Sequence, residues 1–350
     1  MKKRILPVSY PTITSMPEHA DLLSVLENDK RTLPWIYNNF VQLYMLKDIN
    51  RPTPIFFRHF LFEICPLIRY QRFTREFVSC KWNSLLPFIE ECIDANWYVY
   101  LNLDQYYISH SIFYRKEHRP HPTMIFGYNQ YDNSVAVADF YKNLKYSFEY
   151  EKADEICMSY NCDVSLLDFY DRRFNASQDV ILFSPINEIL WDFNDEMFIG
   201  LLTNYINSTN SAQHLFSYDS IWLNDSNFSY GLSVYDTCID RIKYMIDSNS
   251  ESFKGFHMFS TLRDHKVIMR NRLAYLYEKR KIENIAFLDS ICLALIDTLG
   301  IMQNLAIKYN FNREKDLLFR LAELYKMTKE QDYRFTHSLL DQLICGENIC

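Results

Sequence analysis

Apolar positions recur with a helical period at both ends of this chain and with a period near two in between. Between 33 and 46, Trp35, Ile36, Phe40, Leu43 and Tyr44 fall near helical spacing, and Pro34 fits a first turn, so the pattern predicts a helix. Pro52, Pro54 and Pro66 predict a loop or short helical pieces over 50–66. Over 79–95, Trp82, Leu85, Leu86, Ile89 and Ile93 share one helical face. Strand signals follow at 97–103, 106–114, 122–128, 135–139 and 145–150, with turn residues at 127–134 and 139–143 separating the last three as in antiparallel hairpins. Residues 181–189 predict one more strand. Helical periodicity then covers 194–207, 231–247, 258–281, 285–309, 313–327 and 329–344, while the Asn-, Ser- and Asp-rich stretch 210–230 predicts an exposed loop. Helices, a meander of strands and further helices describe an α+β chain. It is expected to divide into a domain with an antiparallel sheet over 1–175 and a mostly helical domain over 176–350.

Composition narrows the chemistry. The chain has 350 residues, a net charge of -7, 16% aromatic residues and only 6 glycines, so neither GxGxxG nor GxxxxGK[ST] can be written. No cofactor is implied. A pI near 5.8 and the lack of a basic block argue against nucleic-acid binding, which draws its affinity from neutralised phosphates. The nine cysteines, at 65, 80, 92, 157, 162, 238, 292, 345 and 350, show no CxxC spacing, which favours reduced thiols and a cytoplasmic protein over a disulfide framework or structural zinc. Pro7 and Pro11 interrupt the segment behind Lys2, Lys3 and Arg4, against an export signal. Asp289 and Asp297 break the most apolar run, 285–306, which is expected to be a buried helix rather than a membrane span.

The most suggestive chemistry is His121, opening one predicted strand, and Asp139, closing the next. Across an antiparallel hairpin the two can face each other, and a carboxylate then holds the imidazole's tautomer and stabilises its cation. Asp104 follows the 97–103 strand, and Tyr106 and Tyr107 beside it are possible hydrogen-bond donors to substrate. Each has a plainer reading: His near a strand start is commonly structural, and Asp before a turn is often conformational. His118 and His121 lack the further ligands that a metal site requires. Lys266, Arg270, Arg272, Lys279, Arg280 and Lys281 are a candidate basic docking face, although such a run is more often a solvated helix face.

Three stretches carry a resemblance: Trp97-Tyr98-Val99-Tyr100-Leu101-Asn102-Leu103-Asp104-Gln105-Tyr106-Tyr107-Ile108, then His121-Pro122-Thr123-Met124-Ile125-Phe126-Gly127-Tyr128-Asn129, then Val135-Ala136-Val137-Ala138-Asp139-Phe140. Together with Pro34, Trp35, Ile36, Asn39, Gln42 and Leu43, they resemble the family of the butirosin biosynthesis protein H N-terminal domain, in particular its relatives from bacterial peptide-antibiotic gene clusters. The resemblance implies a papain-like cysteine-peptidase fold. It also implies transfer of an acyl group from a carrier-protein thioester to a small-molecule amine. His121 would be the general base, Asp139 its orienting carboxylate, and Asp104 the acidic residue after the preceding strand. One departure concerns the nucleophile, a cysteine at the start of the first long helix in papain-like enzymes. That region is taken as Asp29-Lys30-Arg31-Thr32-Leu33-Pro34-Trp35, where Thr32 is the only hydroxyl, and no cysteine precedes Cys65. Cys80 is a candidate relocated nucleophile. Three functions follow: an amide-forming acyltransferase using direct attack by the amine; a non-catalytic papain-fold module binding a carrier protein or peptide synthetase; and a cysteine peptidase.

Overall fold

The computed structural model describes residues 1–48, 55–57, 61–161, 179–211, 227–250 and 252–347. The chain forms two compact units that interleave in sequence. The first joins Met1–Thr32 to Phe60–Trp191, and the second joins Leu33–His59 to Asp192–Cys350. The expected cut at 175, which itself lies outside the described residues, is therefore replaced by a division in which 33–59 belongs with the helical half.

The first unit is built on an antiparallel sheet in the order β4(Ile68–Thr74)-β9(Asp179–Pro185)-β5(Tyr98–Asp104)-β6(Pro120–Asn129)-β7(Ser134–Asp139)-β8(Ser147–Lys152). β6 is long enough to take two partners on one side. Its first half pairs with β5, from Asp104↔Pro120 to Val99↔Ile125, and its second half pairs with β1(Lys3–Ile5), from Ile5↔Gly127 to Lys3↔Asn129. A register shift between Ile125 and Gly127 marks the changeover. Gly127 is required there, because a Cβ would stand 2.7 Å from the Arg4 carbonyl oxygen and 2.4 Å from Ile5 Cδ1. β1 falls on the basic N-terminal segment.

Helices α1(Pro17–Leu26), α3(Leu61–Ile64), α4(Arg75–Lys81), α5(Leu85–Asp94) and α6(Ala153–Tyr160) complete this unit. The single helix expected over 79–95 is two, because Trp82 and Ser84 adopt extended backbone between α4 and α5. Thr74 caps α4 by accepting from the Phe77 N–H. The strand expected over 106–114 is instead a 3-10 turn, Gln105–Tyr107, followed by further turns closed by Ser111 N–H to the Ile108 carbonyl and Tyr114 N–H to the Ser111 carbonyl.

In the second unit, α2(Leu33–Asn38) is much shorter than the expected helix over 33–46. The buried Arg272 side chain explains the stop. Its Nε donates to the Tyr37 carbonyl at 2.7 Å and its Nη2 to the Asn39 carbonyl at 2.7 Å, so a distant guanidinium caps the helix end. The chain then turns through Phe40 at φ 52° into β2(Tyr44–Leu46), the centre of a small sheet with β3(Ile55–Phe56) and β10(Phe228–Tyr230). The expected loop over 210–230 thus ends in a strand, and most of it lies outside the described residues.

Among the described residues, helices α7(Asp195–Asn207), Ser233–Asp247, His257–Glu278, Ile285–Asn312 and Lys315–Glu347 form most of the rest of the unit. The two helices expected at 313–327 and 329–344 are one. Phe198, Leu202, Met269, Leu273, Leu295 and Phe335 lie in its core. Ile285–Asn312 buries the stripe Leu288, Cys292, Leu295, Leu299, Met302 and Ala306, while Phe287, Ile301 and Phe311 are exposed. By length and composition this helix could cross a membrane, its most apolar 18-residue window having a mean hydropathy of 2.0 with 28% of it buried, where the sequence predicts a buried helix.

Candidate active site

β6 and β7 pair through Met124↔Ala138, which carries the register on to Thr123 and Asp139. Thr123 then donates its hydroxyl to Asp139 Oδ2, and His121, two residues earlier on the same side of the strand, reaches the same carboxylate. His121 Nδ1 lies 2.6 Å from Asp139 Oδ1. The oxygen sits beside rather than in line with the ring N–H, so this is a close contact without aligned hydrogen-bond geometry. Asp139 is wholly buried, and the His121 side chain keeps 22% of its surface exposed. Nδ1 is itself buried, so that exposure belongs to the remainder of the side chain.

Other donors converge on Asp139. The Phe140 N–H donates to Oδ1, and Gln105 Nε2 approaches the same oxygen at 3.5 Å. Gln105 is positioned in turn by the Ser111 hydroxyl, which donates to its Oε1 at 3.2 Å. Such a set offsets the cost of taking a carboxylate out of water.

Asp104 does not join this site. Its Oδ2 lies 2.6 Å from His118 Nδ1, and its Oδ1 accepts from the N–H groups of Arg119 at 2.9 Å and Tyr106 at 3.1 Å. The Tyr106 ring stacks on His118 with centroids 4.1 Å apart, and Tyr107 packs on the same imidazole at 6.0 Å. Asp104, Tyr106 and Tyr107 are therefore brought together around His118, not around His121. A third pair, His110 Nδ1 to Glu151 Oε1 at 2.8 Å, repeats the arrangement. Burial pushes the Glu151 carboxyl up to about 7 against the opposing effect of His110. Three imidazoles in or just after the β5–β6 connection thus rest their Nδ1 atoms against buried carboxylates. Sequence reasoning found one of the three, since the other two pairs have no fixed spacing to read.

The first long helix is α1, earlier than the segment taken for it. Residues 14–20 at its start read Thr-Ser-Met-Pro-Glu-His-Ala, again without a thiol. Thr32 donates its hydroxyl to the Leu26 and Asp29 carbonyls and serves as a turn cap. Burial pushes the thiols of Cys65 and Cys92 up to about 12 and raises that of Cys157, the opposite of activation. Cys80 is exposed on α4, and among the described residues no hydrogen bond links it to His121. Among the described residues no group of three or more His, Cys, Asp or Glu could hold a metal ion.

The basic helix face does not exist as expected. Lys266 and Arg272 are wholly buried, Lys266 against Asp332 at 2.5 Å, and Arg270 and Lys281 are paired with Asp289 and Asp195. Two of the six cations thus turn inward, two are tied to carboxylates nearer the surface, and Lys279 and Arg280 stay exposed at the helix end.

Comparison with known proteins adds no name to this geometry: no family model matches the chain, and no curated protein matches it.

Proposed function

We propose that the first unit is a papain-like module that forms amides in bacterial secondary metabolism, moving an acyl group from a carrier-protein thioester to a small-molecule amine in the cytoplasm. The observation that carries this reading is the contact between His121 and a wholly buried Asp139, with the His121 side chain still 22% exposed. In this mechanism the amine attacks the thioester carbon directly. A C–N bond forms, the C–S bond breaks, the ammonium proton passes to His121 Nε2, and the departing thiolate is then protonated. Asp139 stabilises the imidazolium and fixes the ring's orientation. Neither ATP nor a thiol is needed.

The test is product formation from an N-acetylcysteamine thioester and an amine. His121→Ala is expected to lower the rate by about 10²–10⁴-fold. An unchanged rate removes His121 from the mechanism. The absence of a thiol at the start of α1 favours a second reading, a papain-like binding module for a carrier protein or peptide synthetase. Under that reading wild type yields no amide with any donor, while partner capture survives His121→Ala. A cysteine peptidase would need a reactive thiolate, and the Cys65, Cys92 and Cys157 thiols are shifted away from that state.

A further inference from the structure

We propose that a row of aromatic rings leading from His121 to the surface binds an apolar group of the acyl donor, so that the donor is an aromatic or long-chain acyl thioester. The row begins at the base itself. The His121 ring meets Phe140 edge to face at 5.6 Å, Phe140 meets Tyr146 at 5.5 Å, and Tyr146 meets Tyr10 at 6.1 Å. Tyr146 is the fixed floor of the row: it is buried, and its hydroxyl donates to Asp21 Oδ1 at 2.7 Å. That bond engages the phenol's donor within the protein, and the ring, itself covered, backs Phe140 and Tyr10, which carry the open aromatic surface. Tyr10, at the outer end, is 62% exposed although its ring packs on Tyr146. A part-exposed His121 side chain therefore continues into partly open aromatic carbon, the lining expected of a site that orients an apolar group beside a few polar ones.

The acyl side is the better occupant. Its apolar body gains by leaving water, whereas an ammonium must shed a strongly held hydration shell before it reacts. This inference rests on the transfer reading for the name of the ligand, and its test is binding, which needs no turnover.

The experiment measures affinities of phenylacetyl- and acetyl-N-acetylcysteamine for the full chain by ligand-observed NMR, in wild type, Tyr10→Ser and Phe140→Ala. Wild type is expected to prefer the phenylacetyl ligand by roughly tenfold, in line with the discrimination an apolar contact gives. Tyr10→Ser and Phe140→Ala are expected to reduce that preference toward unity. Tyr10 is exposed enough for its variant to keep the fold, so loss of structure in Phe140→Ala alone does not spare the proposal. Equal affinity for the two ligands in wild type, or a preference untouched by Tyr10→Ser, overturns the inference. So does a result in which Tyr10→Ser weakens benzylamine instead, because the row would then hold the amine through cation–π contact. Preference without amide product supports the row and counts against the transfer reading. Product without preference does the reverse.

Discussion

Each unit sets a basic side chain against a carboxylate, Lys266–Asp332 at 2.5 Å in the helical unit and His121–Asp139 at 2.6 Å in the sheet unit. In the first, both side chains are wholly buried, and the Tyr205 and Tyr235 hydroxyls donate to Asp332 Oδ2 at 2.7 and 2.9 Å. In the second only the carboxylate is sealed, and part of the His121 side chain meets solvent. A charge pair closed on all sides has nothing left to offer a substrate and serves the architecture. A pair closed on one side presents a fixed proton acceptor. The lesson is that burial of both partners, more than distance, separates structural from candidate catalytic pairs.

The largest effect should come from the sealed pair. Lys266→Met leaves Asp332 buried without its cation and is expected to cost about 3–5 kcal/mol of stability, measured by chemical denaturation. A cost near zero would mean that the pair is not closed to water, and the contrast between the units would fail.

A half-buried carboxyl in the sheet unit, Glu27, sharpens the comparison through pH. Burial raises Glu27 from its ordinary 4.5 to about 7, with the Thr12 N–H, which donates to it at 3.0 Å, opposing. A carboxyl whose pKa is higher in the folded than in the unfolded chain binds its proton more tightly when folded. Its contribution is fully present below about 4.5 and is lost as pH rises through about 7. Glu27→Gln should therefore remove a stability difference of roughly 2–3 kcal/mol between pH 4.5 and 8. Denaturation midpoints that fall equally in wild type and variant over that range would locate the pH dependence elsewhere.

The smallest effect belongs to the open side. His118 is 42% exposed, and Asp104 keeps the Arg119 and Tyr106 N–H groups when the imidazole is removed. His118→Ala should cost about 1 kcal/mol or less. A loss as large as that of Lys266→Met would place His118–Asp104 among the sealed pairs.

The sequence made the β5–β8 meander legible because its strands carry β-branched and aromatic residues and its turns carry Asn, Asp and Gly, and this brought His121 and Asp139 into view. It concealed α1 because His19 and Asp21, polar residues on a short helix, are buried there rather than solvated. It concealed the end of α2 because the group that caps it, Arg272, is remote in the chain. The same residue misled the reading of the 266–281 segment, since a cation turned inward has the same sequence signature as one turned outward. His118–Asp104 and His110–Glu151 were unreadable for a related reason: irregular turns, not a strand period, set where those imidazoles stand.

The account depends most on His121 and Asp139 acting as one unit, and a double-mutant cycle on amide formation tests that directly. Asp139→Asn is expected to slow transfer by about 10²-fold or more in the wild-type background, and to have almost no further effect once His121 is Ala. Equal rate losses from Asp139→Asn in both backgrounds would contradict the pairing as a catalytic unit.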